Sequence, residues 1–247
     1  MLHDADIREP LFEFLEETFG KIRIIEEKTI GRSRADVVMI AEDALYGLEI
    51  KSDADSYTRL AGQVKDYDKY YDYNFIVVGT SHAAHVGEHV PGYWGIITVE
   101  EVEGKPDFYI LRRPEINPKM KLRNKLSILW RPELAIIQDQ NDMPKYKQLG
   151  RDAVVMKIIE RTEYPEGKKG RIERDVLSRQ VSGVLFERDY NDISAALREY
   201  YKGELQKKID AESDPQKRME LMMEQDAKRK SAKQAGFTRK RRRRRHL

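Results

Sequence analysis

The amino-acid sequence predicts an α/β (α+β) protein: a mixed sheet flanked by helices, followed by an all-helical C-terminal region. Short segments of helical and strand periodicity alternate over the first 112 residues. Strand signals then stop beyond Pro114–Pro118 (Pro-Glu-Ile-Asn-Pro). The length, 247 residues with 40% hydrophobic content, is enough for one or two cores.

The elements follow in order. Ile7, Leu11, Phe14, Leu15 and Phe19 recur at helical spacing and Gly20 ends the run. Lys21–Thr29 is rich in β-branched residues. Arg34–Ile40 and Leu45–Lys51 flank the polar turn Ala41-Glu-Asp-Ala44, as in a hairpin. A helix follows, with Asp55 or Ser56 as N-cap and Leu60, Val64, Tyr67 and Tyr71 as its apolar stripe. Asn74–Gly79 reads as a buried strand. Thr80 or Ser81 can cap a helix reaching about His89, which Pro91-Gly92 ends. Gly95–Glu100 and Asp107–Arg112 form a second hairpin, and the order is α-β-β-β-α-β-α-β-β.

Three regions result: a sheet domain over 1–113, a helical domain over 119–210, and a charged, partly disordered basic tail over 211–247. Helices are expected over Lys121–Asp139, Gly150–Thr162, Ile172–Arg188 and Ile193–Asp210, separated by Pro- and Gly-bearing breaks. The net charge of +3 conceals a gradient. Residues 1–111 carry 22 Asp and Glu against 11 Lys and Arg, a net of −11, whereas 228–247 carry 11 Lys and Arg and no acid. A basic tail suits a polyanion, and an acidic front half suits clustered carboxylates.

Composition also removes classes. With no Cys, disulfide scaffolds, thiolate zinc sites and Cys nucleophiles are excluded. No apolar run approaches the roughly 18 residues of a membrane span, and Met1–Asp6 lacks a secretory signal, so a cytoplasmic setting is expected. No glycine-rich phosphate loop supports an ATP-driven motor.

Strand alternation places Arg34, Asp36, Val38 and Ile40 on one face, and Glu49 with Lys51 on one face of the next strand. In a hairpin, Asp36, Glu49 and Lys51 converge at one end of the sheet. Adjacent carboxylates repel unless a proton or cation intervenes. A hard ion such as Mg²⁺ or Mn²⁺ fits oxygen ligands, with the Ile50 backbone carbonyl as a further donor. Lys51, expected at the rim, would orient a water or stabilise charge on a phosphate. Gln63, on the apolar stripe of the following helix, can hold a water or a phosphate. A Glu-x-Lys pattern alone is most often a solvated strand face; the Asp-bearing partner strand and Gln63 set this one apart.

The run Arg34-Ala-Asp36-Val-Val, Gly47-Leu-Glu49-Ile-Lys51-Ser-Asp53, then Gln63 and Tyr67, resembles the PD-(D/E)xK nuclease superfamily. It looks closest to bacterial and phage members related to MmcB-like DNA-repair proteins, with Asp6-Ile-Arg8 and Pro91-x-x-Trp94-Gly95 as further shared features. The resemblance covers about residues 4–112. It extends weakly to Leu129–Leu134 and Phe186–Tyr190. It implies a restriction-endonuclease-like sheet, Asp36 and Glu49 as metal ligands, Lys51 as the catalytic lysine and Gln63 as its support. It also implies an additional acid, for which Asp6, Glu9 and Glu27 are candidates; no Pro precedes Asp36, where Arg34-Ala35 stands instead. The implied activity is metal-dependent hydrolysis of DNA phosphodiesters in bacterial or phage repair, recombination or defence. The alternative is a non-cleaving nucleic-acid-binding or scaffold protein on the same fold. RNA as substrate and a homodimeric state are both compatible.

Outside this constellation, Arg239, Lys240, Arg241, Arg242, Arg243, Arg244 and Arg245 form an electrostatic anchor for nucleic acid. Lys119, Lys121, Arg123, Lys125 and Arg131 allow DNA docking on the helical region, though a plain interaction bundle fits equally. His82, His85 and His89 are expected to share an ordinary polar helix face, and Trp94 to pack a turn.

Overall fold

In the computed structural model, residues 2–188, 209–219 and 222–223 are described. The β-branched runs form one six-stranded sheet in the order β1-β2-β3-β4-β5-β6. The strands are β1 (Arg23–Ile30), β2 (Ser33–Ile40), β3 (Leu45–Lys51), β4 (Tyr73–Gly79), β5 (Gly95–Val102) and β6 (Lys105–Arg112). β1, β2 and β3 are antiparallel, β3, β4 and β5 parallel, and β6 returns antiparallel. The sheet is therefore mixed, as the element order requires.

Alternation along the central strands builds two cores. Val37, Met39, Leu48, Ile50, Phe75, Val77, Ile97 and Val99 pack with Ile7, Leu11 and Leu15 of α1 (Asp4–Phe19). Val38, Ile40, Ile76, Val78 and Ile96 belong to a second core with Leu60, Val64 and Tyr67 of α2 (Leu60–Tyr67). The same core takes in the buried stripes of α4 (Leu122–Leu126), α5 (Arg131–Gln140), α6 (Arg151–Thr162) and α7 (Arg174–Phe186).

That shared core changes the expected domain plan. Met1–Glu187 form one compact unit and Arg188–Leu247 a second. The segment expected as a boundary, 114–118, is stitched inside the first unit. Asn117 donates through its side chain to the Asp68 (2.9 Å) and Tyr71 (2.8 Å) carbonyls and through its backbone to Asp72 (2.8 Å). Lys125 of α4 is fully buried on Asp72 at 2.5 Å. Within the second unit, 209–211 and 215–219 are helical. Most of the helix expected over 193–210, and the basic run Arg239–Arg245, lie outside the described residues.

Three helix boundaries differ from expectation. α2 starts after Arg59 rather than Asp55 or Ser56, because the Asp55 carboxylate is used by the Ser52 N–H (2.9 Å) and hydroxyl (2.7 Å). The stretch to His89 holds only α3 (Thr80–Ala83) and a 3-10 turn, Val86–Glu88, since Val86 alone offers too little apolar surface to hold three turns. The expected Lys121–Asp139 helix is interrupted over 127–130. Pro132 lacks the N–H that a helix interior needs and sits instead in the first turn of α5. Among the described residues, no helix is long and apolar enough to cross a membrane.

Candidate active site at the ends of β2 and β3

The turn at 41–44 closes with an Ala41 N–H to Ala44 carbonyl bond of 2.9 Å and sets the register of β2 on β3. Val37 faces Leu48, so one residue further Asp36 stands level with Glu49. There the strands part. The Asp36 N–H donates to the Tyr67 hydroxyl (3.0 Å), and an Asp36 carboxylate oxygen accepts the Ile50 N–H (2.9 Å).

Glu49 is 0% exposed and Lys51 5%. Lys51 is therefore not the rim residue expected from its place near the strand end. Its Nζ lies 2.7 Å from Glu49 Oε1, and the Gln63 amide Nε2 donates to the same oxygen. The Tyr67 hydroxyl donates to Glu49 Oε2 at 2.7 Å and lies 3.1 Å from the Leu48 carbonyl. Three donors thus offset the burial of one carboxylate. The four-residue spacing of Gln63 and Tyr67 stacks both on the face of α2 turned to β3. Their approach depends on Gly47, where a Cβ would come within 2.2 Å of the Tyr71 ring and 2.7 Å of Tyr67.

Burial, and then the Glu49 charge, push the Asp36 carboxyl up to about 7; the Ile50 N–H, Lys51 and Arg8 pull it the other way. Burial and the Glu49 charge hold the Tyr67 hydroxyl well above its usual range, so it stays a donor. Glu49 has Lys51 as its close counter-ion, whereas Asp36 has only the more distant Arg8 at 3.7 Å, and a proton or a cation relieves it. Gln63 Oε1 is buried without a partner among the described residues, an acceptor that suits a water. An oxygen donor set of this kind fits Mg²⁺ or Mn²⁺ held by Asp36, Glu49 and the Ile50 carbonyl. Among the described residues, no group of three or more His, Asp or Glu side chains is placed to hold an ion, so water or substrate would complete the coordination.

The three candidate acids part company. Asp6 caps α1, accepting the His3 N–H at 2.9 Å, and Glu9 is exposed. Glu27 stands across from Asp36, between the pairs Glu26–Val37 and Lys28–Ala35, with φ 55. That left-handed backbone costs a non-glycine residue roughly 1–2 kcal/mol. Arg8 joins the two carboxylates: its Nη2 lies 3.0 Å from Glu27 and 3.7 Å from Asp36, while Nη1 donates to the Asp36 carbonyl at 3.3 Å.

Sequence reasoning missed the role of Arg8 at the site. The available signal was its solitude: it is the only basic residue in α1, among six acids. Tyr67 was legible as core, but not as the donor that ties Glu49 to the Asp36 backbone.

Several other candidates fall away from this centre. Lys125 is buried on Asp72, and the Arg131 guanidinium donates to the Tyr146 (2.7 Å) and Leu149 (3.4 Å) carbonyls. Both are therefore lost to a docking surface, whereas Lys121 and Arg123 remain exposed. His82 and His89 lie against the Tyr57 ring at 4.8 and 4.3 Å, and His85 lies 3.7 Å from Glu88. Trp94 is buried and donates to Asp68 at 2.9 Å.

Fold and site together define a mixed-sheet α/β protein with a buried carboxylate–lysine centre at one end of its sheet. The chain belongs to the family described as bacteriophage P4 protein cII, whose sequence profile matches residues 2–211. Protein cII of Enterobacteria phage P4 is 25% identical over 157 residues, 62% of this chain and 60% of that protein. The chain thus spans about 60% of the length of the curated relative it matches. Among solved structures, SfsA of Pyrococcus furiosus in complex with Ca²⁺ is similar at 15% identity, over 48% of this chain and 65% of SfsA, with a TM-score of 0.31.

Proposed function

We propose that this protein is a metal-dependent deoxyribonuclease of the PD-(D/E)xK type, acting in phage or bacterial DNA repair, recombination or defence within the cytoplasm. The observation that carries this reading is the centre itself: Glu49 gripped by Lys51, Gln63 and Tyr67, with Asp36 alongside. Asp36, Glu49 and the Ile50 carbonyl would hold Mg²⁺ or Mn²⁺, which supplies a more acidic bound water and a polarised phosphoryl oxygen.

The chain's own residues do the rest. Lys51, held on Glu49, stabilises charge gathering on the phosphate. Gln63 holds Glu49 in place and leaves Oε1 to orient a water. Tyr67 fixes the spacing of the two strands, and Arg8 secures Asp36 from the α1 side. The basic run Arg239–Arg245 would recruit the nucleic acid to an acidic front half.

Cleavage of supercoiled plasmid and branched oligonucleotides, with Mg²⁺, Mn²⁺ or EDTA, tests the reading. Wild type should cut only with metal, and Asp36→Ala and Lys51→Ala should each reduce the rate by about 10²-fold or more. Metal-dependent cutting of RNA alone would redirect the substrate. Binding without cutting, in every metal, would favour the non-cleaving nucleic-acid-binding or scaffold reading.

A further inference from the structure

β3 and β4 run parallel, and their carboxyl ends lie side by side, with Lys51 level with Val78. In open α/β sheets, ligands bind beyond the carboxyl ends of the strands. Two loops meet there. Asp53, two residues past Lys51, accepts the Ser81 hydroxyl (2.6 Å) and N–H (3.2 Å), which joins the loop after β3 to α3. Gly79 makes room for this contact, since a Cβ there would come within 2.3 Å of the Asp53 carboxylate.

The two loops bring three rings together. The Tyr57 ring centroid lies 4.8 Å from that of His82 and 4.3 Å from that of His89. The rings are tilted by 49° and 41° rather than stacked, so their faces do not cover one another. His89 is exposed, Tyr57 and His82 are half-buried, and His82 Nε2 is buried with no partner among the described residues. A polar atom left unsatisfied among these rings is a feature that folding stability alone does not explain.

Positive charge enters from α2. Arg59 stands at the N-cap of that helix with helical φ and ψ, and its carbonyl accepts the Gln63 N–H at 3.1 Å. Arg59 is therefore one turn beyond Gln63, continuing the row in which Gln63 and Tyr67 reach Glu49. Arg59 is exposed and has no ion pair among the described residues. Acids of the same loops are already engaged: Asp53 by Ser81, Asp55 by Ser52, and Glu88 at 3.7 Å from His85.

We propose that Tyr57, His82 and His89 stack an unpaired nucleobase while Arg59 holds a phosphate of the same strand, a nucleotide subsite at the Glu49 end of the sheet. Stacking on aromatic rings is tolerant of sequence, and a base paired within a duplex cannot reach them. The substrate is then DNA with a single-stranded segment, whether a free strand, a flap or a frayed end. This deepens the nuclease reading and rests on it for the cutting step alone.

Fluorescence anisotropy of the full chain in EDTA tests it. The labelled probes are a short single-stranded DNA, an abasic strand of equal length and the matching duplex. Wild type should hold the single strand about tenfold more tightly than the abasic strand. Tyr57→Ala and His89→Ala should each remove that preference and leave duplex binding unchanged, and Tyr57→Phe should keep it. Arg59→Gln should weaken both strands alike and make the salt dependence shallower by about one charge. His89 and Arg59 are exposed, so their variants test the subsite even where Tyr57→Ala, which loses packing, does not fold. Equal wild-type affinity for normal and abasic strands overturns the proposal, as does a preference that survives His89→Ala and Tyr57→Ala or a loss as large on the duplex. An unchanged salt dependence in Arg59→Gln overturns its phosphate half. Because no metal is present, a chain that binds in this way but never cuts fails the nuclease reading alone.

Discussion

Among the described residues two carboxylate–lysine pairs are buried, Glu49 with Lys51 and Asp72 with Lys125, at 2.7 and 2.5 Å. Around Asp72 the donor set closes on itself. The Leu45 N–H (2.7 Å) and Lys125 reach one oxygen, and Ser178 (3.0 Å) reaches the other, while Lys125 also donates to Ser178 at 2.7 Å. Around Glu49 three donors are present too, but a second carboxylate with a raised pKa stands beside it and a buried amide oxygen goes unpartnered. The same pair of residue types makes a lock where both carboxylate oxygens meet donors, and a site where a second carboxylate is left over.

The comparison can be broken most severely at the lock. Lys125→Met leaves Asp72 buried without its counter-ion and should cost about 3–5 kcal/mol. Urea unfolding should show it as a lower midpoint, with cleavage per folded molecule unchanged. A loss of less than about 1 kcal/mol would mean that helices α4 and α7 dock without the ion pair.

The opposite sign is expected at the site. The folded chain keeps the Asp36 proton up to about 7, whereas an unfolded aspartate releases it near 3.8. Between these values the native state binds more protons, so this contribution is full below about 4 and is lost as pH rises toward 7. Metal-free protein should therefore lose roughly 2–4 kcal/mol across that window. Asp36→Asn should abolish both this slope and cleavage, and should be the more stable protein at pH 8 in EDTA. Equal slopes for variant and wild type would assign the titration elsewhere.

A smaller effect separates site from core. Gly47→Ala drives a methyl into the Tyr71 and Tyr67 rings and should cost about 1–3 kcal/mol. By displacing Tyr67 from Glu49, it should also lower cleavage by more than its loss of folded protein explains. Matching losses would reduce Gly47 to a packing residue.

What the sequence disclosed follows the range of the forces involved. The β2–β3 register was legible because a four-residue turn and period-two alternation are local, and they bring Asp36 level with Glu49 without tertiary help. The α2 stripe was legible for the same reason, and Gln63 stood out as polar within it. Lys125 was not: a lysine among Lys119, Lys121 and Arg123 reads as surface, and only its long-range partner Asp72 makes it interior. Arg8 depends likewise on Glu27 and Asp36, brought to it by folding. The helices after 118 announced themselves as helices. Their docking on the sheet's second face rests on apolar stripes whose partners lie far away in the chain.

The strand order has a consequence for biosynthesis. Each strand pairs with the one made just before it, so the sheet can grow from β1 to β6 in the order of translation without any strand waiting for a later one to be inserted. Asp36, Glu49, Lys51 and Gln63 all emerge early, within one hairpin and the helix that follows it. Lys125 and Ser178 reach Asp72 only later, so the lock closes after the candidate site is already in place.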